Sequence, residues 1–231
     1  MATDKTLYSC SHQTFYIVAQ KGFISCLEQL ETFAAYKASY TSQYVQQHLN
    51  SIKEAETMKT VSDLNQYIAR AKFALENSIA LCRLNWMKLK GYINTLATAD
   101  QRYFAYIEAG GDFYAKSAKT WTPMKELLLK STAYLKKNEG ALLLNNNMPL
   151  AFATTYINDN KNCNALKDQY EKLRSSKGVS VQEKIKAGNA IYKALIDLFT
   201  DGQCLFPDQP ALKKQFIFRQ VLRMVEGGRL G

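Results

Sequence analysis

Apolar residues recur every three to four positions along almost the whole chain, and no stretch alternates with the two-residue period of a half-buried strand. The first such pattern runs through Phe23, Leu27, Leu30 and Ala34. Phe33, Tyr36, Tyr40 and Tyr44 form an adjoining stripe, and Leu49, Ile52 and Met58 follow. Read as one element capped at Ser11 or Thr14, it predicts a helix from about Gln13 to about Met58, about 68 Å long at 1.5 Å per residue. Gly22 is its weakest point, because glycine inside a helix costs up to about 1 kcal/mol relative to alanine.

Thr60, Ser62 and Asp63 start a second pattern, through Leu64, Ala71, Leu75, Cys82, Trp86, Leu89 and Ile93 to about Ala97. Only a few residues separate the two patterns, and short connections make antiparallel neighbours. Residues 13–97 are therefore expected to form a long antiparallel helical hairpin. No proline precedes Pro123, so nothing in this half forces a helix to stop.

Four or five shorter helices are expected over about 101–226. Asp100 caps one that ends at Gly110-Gly111, and Thr122-Pro123 opens the next, running toward Gly140. Pro149 opens a third, which ends at Ser175-Ser176-Lys177-Gly178. Ser180 with Glu183 has capping-box spacing for a fourth, stopped by Asp201-Gly202. Asp208 and Pro210 open the last, which reaches Glu226. The fold class that follows is all-α: an elongated helical bundle, residues 1–231 as one domain.

Composition adds limits rather than a function. The chain is 47% hydrophobic and 22% charged, as expected for a folded domain. Its net charge of +10 is uneven: residues 1–122 carry 13 basic against 10 acidic side chains, and residues 123–231 carry 17 against 10. Cys10, Cys26, Cys82, Cys163 and Cys204 are odd in number and never spaced as a Cys-x-x-Cys pair, so they read as reduced thiols. Met1–Lys5 leads into no signal-type apolar core, and no apolar run approaches the length of a membrane span, so a cytoplasmic location is expected.

The inventory of reactive groups is thin. His12 and His48 are the only histidines, and neither has a glutamate three residues before it, as inward-facing Glu-x-x-His metal pairs would require. Asn160, Asn162, Asn164, Asp168 and Glu171 fall in a calcium-loop register. That register puts Ala165 where the sharp turn calls for glycine, and a helical pattern through Leu166, Tyr170 and Leu173 competes with it. No glycine-rich phosphate loop is present. No catalytic residue, metal or cofactor is expected.

Two features stand above this background. Tyr36, Tyr40 and Tyr44 form a ladder of side chains with apolar bodies and polar tips, suited to half-buried surfaces and interfaces. Near the end of the chain, Ile217, Phe218, Val221, Leu222 and Val225 make an apolar helix face. Lys213, Lys214, Arg219 and Arg223 make a basic surface beside it, of a kind that can meet a membrane surface or a partner groove. The expected function is a non-catalytic structural or protein-interaction subunit that contacts partner proteins or itself. Two alternatives are a nucleic-acid-binding protein using the basic C-terminal half, and an enzyme or small-ligand carrier with a pocket between helices.

Overall fold

The computed structural model describes residues 4–96, 98–145 and 148–227, and the protein is all-α, with ten helices and no strand among them. They are α1 (His12–Glu28), α2 (Leu30–Tyr36), α3 (Ser42–Thr57), α4 (Val61–Ile93), α5 (Ala99–Glu108), α6 (Gly111–Tyr114), α7 (Trp121–Asn145), α8 (Leu150–Leu205), α9 (Pro210–Gln215) and α10 (Phe218–Gly227). They divide between two compact units. Unit 1 comprises residues 1–62 and 176–231, and unit 2 comprises residues 63–175.

In unit 1 the expected single helix over 13–58 is three helices. α1 begins where Ser11 accepts the Thr14 amide at 3.1 Å, and it runs unbroken through Gly22. Gly22 is there for close approach: a Cβ would overlap the ring of Phe199. The breaks come later. Gln29 leaves helical geometry, and Lys37 is extended at φ −141° and ψ 121°. α3 then starts where the Thr41 hydroxyl accepts the Tyr44 amide at 3.0 Å. These breaks turn α3 back antiparallel on α1, with His48 stacked on Phe23 at 4.7 Å. A continuous helix could not bring Phe33, Tyr40, Val45 and Ile52 into one core, and here all four are buried. The two arms of the expected hairpin over 13–97 accordingly fall in different units.

The core of unit 1 is aromatic: Phe15, Phe23, Phe33, Phe199 and Phe216 are each at most 2% exposed. Removing side chains of this size from water contributes roughly 1.5–3 kcal/mol apiece. α10 packs on α1 through Val221 and Val225, which are buried. The segment before α1 is tied to α8. The Asp4 amide donates to Gln182 Oε1 at 3.0 Å, the Leu7 amide to Asn189 Oδ1 at 2.9 Å, and Asn189 Nδ2 to the Lys5 carbonyl at 2.8 Å. Lys184, itself buried, donates to the Met58 carbonyl at 2.6 Å just past the end of α3, where a cation meets the negative end of the helix.

Unit 2 has two adjoining apolar clusters. One gathers Leu89, Ile93, Ala109, Leu135 and Tyr156, the other Cys82, Trp86, Met124, Leu127 and Cys163. The Trp86 indole donates to the Ala109 carbonyl at 3.0 Å, which satisfies its one polar group inside the core. α5 starts with a capping box of Thr98 and Gln101, two residues before the Asp100 cap read from sequence. Gly110 has φ +82°, a left-handed turn between α5 and α6 that other residues adopt only with strain. α7 starts at Trp121, two residues ahead of Pro123, which still lies in the first turn where its missing N–H is harmless.

α8 corrects the sequence reading most. Neither Ser175–Gly178 nor Asp201-Gly202 ends it, and Ser180 starts no new helix. The chain is helical from Leu150 to Leu205. Conversely, the single helix expected over 210–226 is two, separated at Phe216–Ile217, because Phe216 turns inward to lie fully buried against Gly202.

Candidate functional site

The three tyrosines of the ladder sit in three different local structures. Tyr36 ends α2 and is 48% exposed, Tyr40 lies in the connection before α3 and is 4% exposed, and Tyr44 is half-buried in the first turn of α3. They do not make one outward stripe. Tyr40 donates to Asp201 Oδ2 at 2.6 Å, and Lys37 Nζ contacts both oxygens of the same carboxylate at 2.7 and 2.8 Å. Burial, followed by the hydrogen bond to Asp201, pushes the Tyr40 phenol well above its ordinary range. Hydrogen bonding to Asp201 likewise raises the Lys37 ammonium. Asp201 is 7% exposed, so this constellation anchors the α2–α3 connection to α8 within unit 1 and leaves no oxygen reaching for a ligand. Tyr36 remains as the exposed member, with Lys37 Nζ 5.3 Å from its ring centre.

The basic residues near the end of unit 1 are also split. Lys213 and Lys214 occupy the last turn of α9, whereas Arg219 and Arg223 lie one turn apart on α10, both exposed. The two arginines border an open groove of about 540 Å³ lined also by Tyr8, Tyr192, Phe218 and Glu226. Glu226 offsets part of their charge. In unit 2 a groove of about 450 Å³ between α7 and α8 carries Lys125, Lys136 and Lys161 around Leu128 and Leu129.

Groups capable of redox, nucleophilic or metal chemistry are scattered. Among the described residues no cluster of three or more His, Cys, Asp or Glu side chains could hold a metal ion. Residues 160–171 are interior to α8, where the Asn160 amide donates to Thr132 Oγ1 at 2.9 Å rather than forming part of a loop. All five cysteines are free thiols. Burial pushes Cys26 up to about 12. In the unit 2 core Cys82 donates to the Asp159 carbonyl at 3.5 Å, and its pairing with Cys163 raises Cys82 and lowers Cys163. His12 and His48 are both half-buried, and burial lowers the basicity of each. No helix among the described residues is long and apolar enough to cross a membrane.

One exposed apolar surface among the described residues was not singled out by the sequence pattern. It is the outward face of α4. The inner face carries Leu75, Cys82, Trp86 and Leu89 into the core of unit 2. On the opposite side Phe73, Ala80, Leu84 and Met87 recur at spacings of seven, four and three, and Phe73, Leu84 and Met87 are 65%, 55% and 43% exposed. Leu81, at 43%, adjoins them. A soluble helix with one buried face ordinarily presents charge on the other. The signal was present in the sequence as a second apolar period, displaced two residues from the first and masked by it.

Comparison with protein-family models, curated proteins and solved structures gives no match for this chain.

Proposed function

We propose that the chain is a non-catalytic protein-interaction subunit, and that the outward face of α4 is its docking surface. The observation that carries this reading is the ordered row of Phe73, Ala80, Leu84 and Met87, exposed on the side of α4 away from its own core. Single exposed apolar residues are ordinary on a protein surface, but a row at helical spacing is the pattern by which one helix packs against another. The dispersal of titratable groups favours the same reading, since the cluster of Tyr40 with Lys37 and Asp201 is taken up by internal contacts.

The test is the double substitution Phe73→Glu with Leu84→Glu. Both side chains are solvent-exposed, so helix content and melting temperature are expected to change little, while association through this face is lost. Sedimentation and affinity enrichment from the native source, run on both proteins, read the difference. Identical sedimentation and identical recovered proteins for the two would sink the proposal.

A further inference from the structure

We infer that the occupant of the α4 face is a second copy of this chain, bound antiparallel about a two-fold axis level with Cys82. This rests on the reading of that face as a docking surface and goes on to identify what docks. The exposed row continues through Asn77 and Gly91, giving Phe73, Asn77, Ala80, Leu84, Met87 and Gly91 at alternating spacings of four and three, the period of a two-helix seam. Two copies related by such an axis place Phe73 opposite Gly91, Asn77 opposite Met87, and Ala80 opposite Leu84. Two of the three layers set a large side chain against a small one, the third sets Met87 against the shorter Asn77, and by symmetry every layer occurs twice. A Cβ at Gly91 would meet nothing within 4 Å, so this position offers open space over backbone to receive a phenyl ring. A parallel arrangement sets like against like: Phe73 on Phe73, Gly91 on Gly91. It forfeits the fit.

The flanks agree. In the antiparallel register Glu76 of one copy faces Lys90 of the other, and this ion pair also forms twice. Within one copy, among the described residues, Glu76 has only an exposed contact of 3.6 Å with Lys72, and Lys90 lies 5.6 Å from the ring centre of Tyr106, so both charges are within reach of a new partner. Arg83 lies on the same flank and faces its own counterpart across the axis. Its guanidinium is turned into its own unit, donating to the Tyr114 carbonyl at 2.6 Å and lying 4.2 Å from the Tyr114 ring centre. On the other flank Leu81 meets Leu81. From residue 73 to residue 91 the seam is about 27 Å long at 1.5 Å per residue.

Sedimentation equilibrium of the full chain is expected to show a dimer, and three substitutions separate this seam from any other. Gly91→Leu fills the space reserved for Phe73 of the second copy. It should weaken the dimer at least about tenfold while raising the melting temperature of the monomer, because leucine is the better helix former. Glu76→Lys and Lys90→Glu should each weaken it about three- to tenfold, and the two together should restore it. A photo-crosslinking side chain at position 84 should join two copies of the chain. A monomer at concentrations up to about 100 µM, or a dimer indifferent to Gly91→Leu, overturns the inference. A crosslink from position 84 to a different protein overturns it too, but leaves α4 as a docking face. No crosslink at all ends both proposals.

Discussion

His12 and His48 each sit where acquiring a charge is costly. The His12 ring lies beside the Tyr8 hydroxyl and the Tyr16 ring, with the Lys184 cation near, and His48 is stacked on Phe23 and edged by Tyr44. Burial lowers both below the ordinary value of 6.5, so the unfolded chain binds protons there that the folded chain does not. Stability from these sites is present above about pH 6.5 and is lost as pH falls below it. The expected result is a melting temperature that drops between about pH 7 and pH 5, with a smaller drop in the double variant His12→Gln/His48→Gln. Equal slopes for the two proteins would refute this. At the same scale, the sequence showed that Tyr40 and Tyr44 were suited to half-buried positions but not where Tyr40 would point. Asp201 in sequence is half of an Asp-Gly pair that resembles a helix end. Its use as the acceptor for Tyr40 and Lys37 depends on a contact across 161 and 164 residues, which no local pattern encodes.

Helix starts were legible in the sequence because they depend on local capping, as at Ser11 and, within a residue or two, at the starts of α5 and α7. Helix ends were legible at Gly110-Gly111, where α5 stops, but not within α8. Gly178 and Gly202 both look like terminators, yet α8 passes through each, for different reasons. A Cβ at Gly178 would meet nothing within 4 Å, so the glycine there is a tolerated weakness. At Gly202 a Cβ would overlap the Phe216 ring, so glycine is required by packing. The two substitutions should therefore move stability in opposite directions. Gly178→Ala should stabilise by about 0.5–1 kcal/mol from helix propensity alone. Gly202→Ala should destabilise by about 1–3 kcal/mol as Phe216 is displaced. Chemical denaturation of the two variants reads both, and a shift of the same sign for both would contradict the assignment. The breaks at Gln29 and Lys37 were hidden for the converse reason: no glycine or proline marks them, and the helix gives way because Phe33 and Tyr40 gain more by facing one core.

At the scale of the whole chain, unit 2 is continuous in sequence and unit 1 is not. Residues 63–175 contain both clusters of their core, so expressed alone they are expected to be helical and to melt in one cooperative step by circular dichroism. Residues 1–62 alone lack Leu195, Phe199 and Phe216, against which Phe15, Phe23 and Phe33 pack. They are expected to show no cooperative transition, and a sharp melt of that fragment would show that the division of the core is wrong. The hydrophobic period that identified the all-α class carries no information about this division, since a helix face looks the same whether its partner is next in sequence or at the far end of the chain.

The split core of unit 1 also sets a waiting time during synthesis. The ring of Phe33 emerges from the ribosome long before that of Phe216, although the two lie 5.3 Å apart when folded. At about 5–20 residues per second, the N-terminal helices remain without their partners for roughly 10–40 s. Unit 2 is completed during that interval. A chain cut short soon after residue 175 would therefore carry a finished unit 2 together with an aromatic surface that nothing in its own remaining sequence can cover. Such a product should be a target for chaperones and proteases, whatever the condition of its finished half.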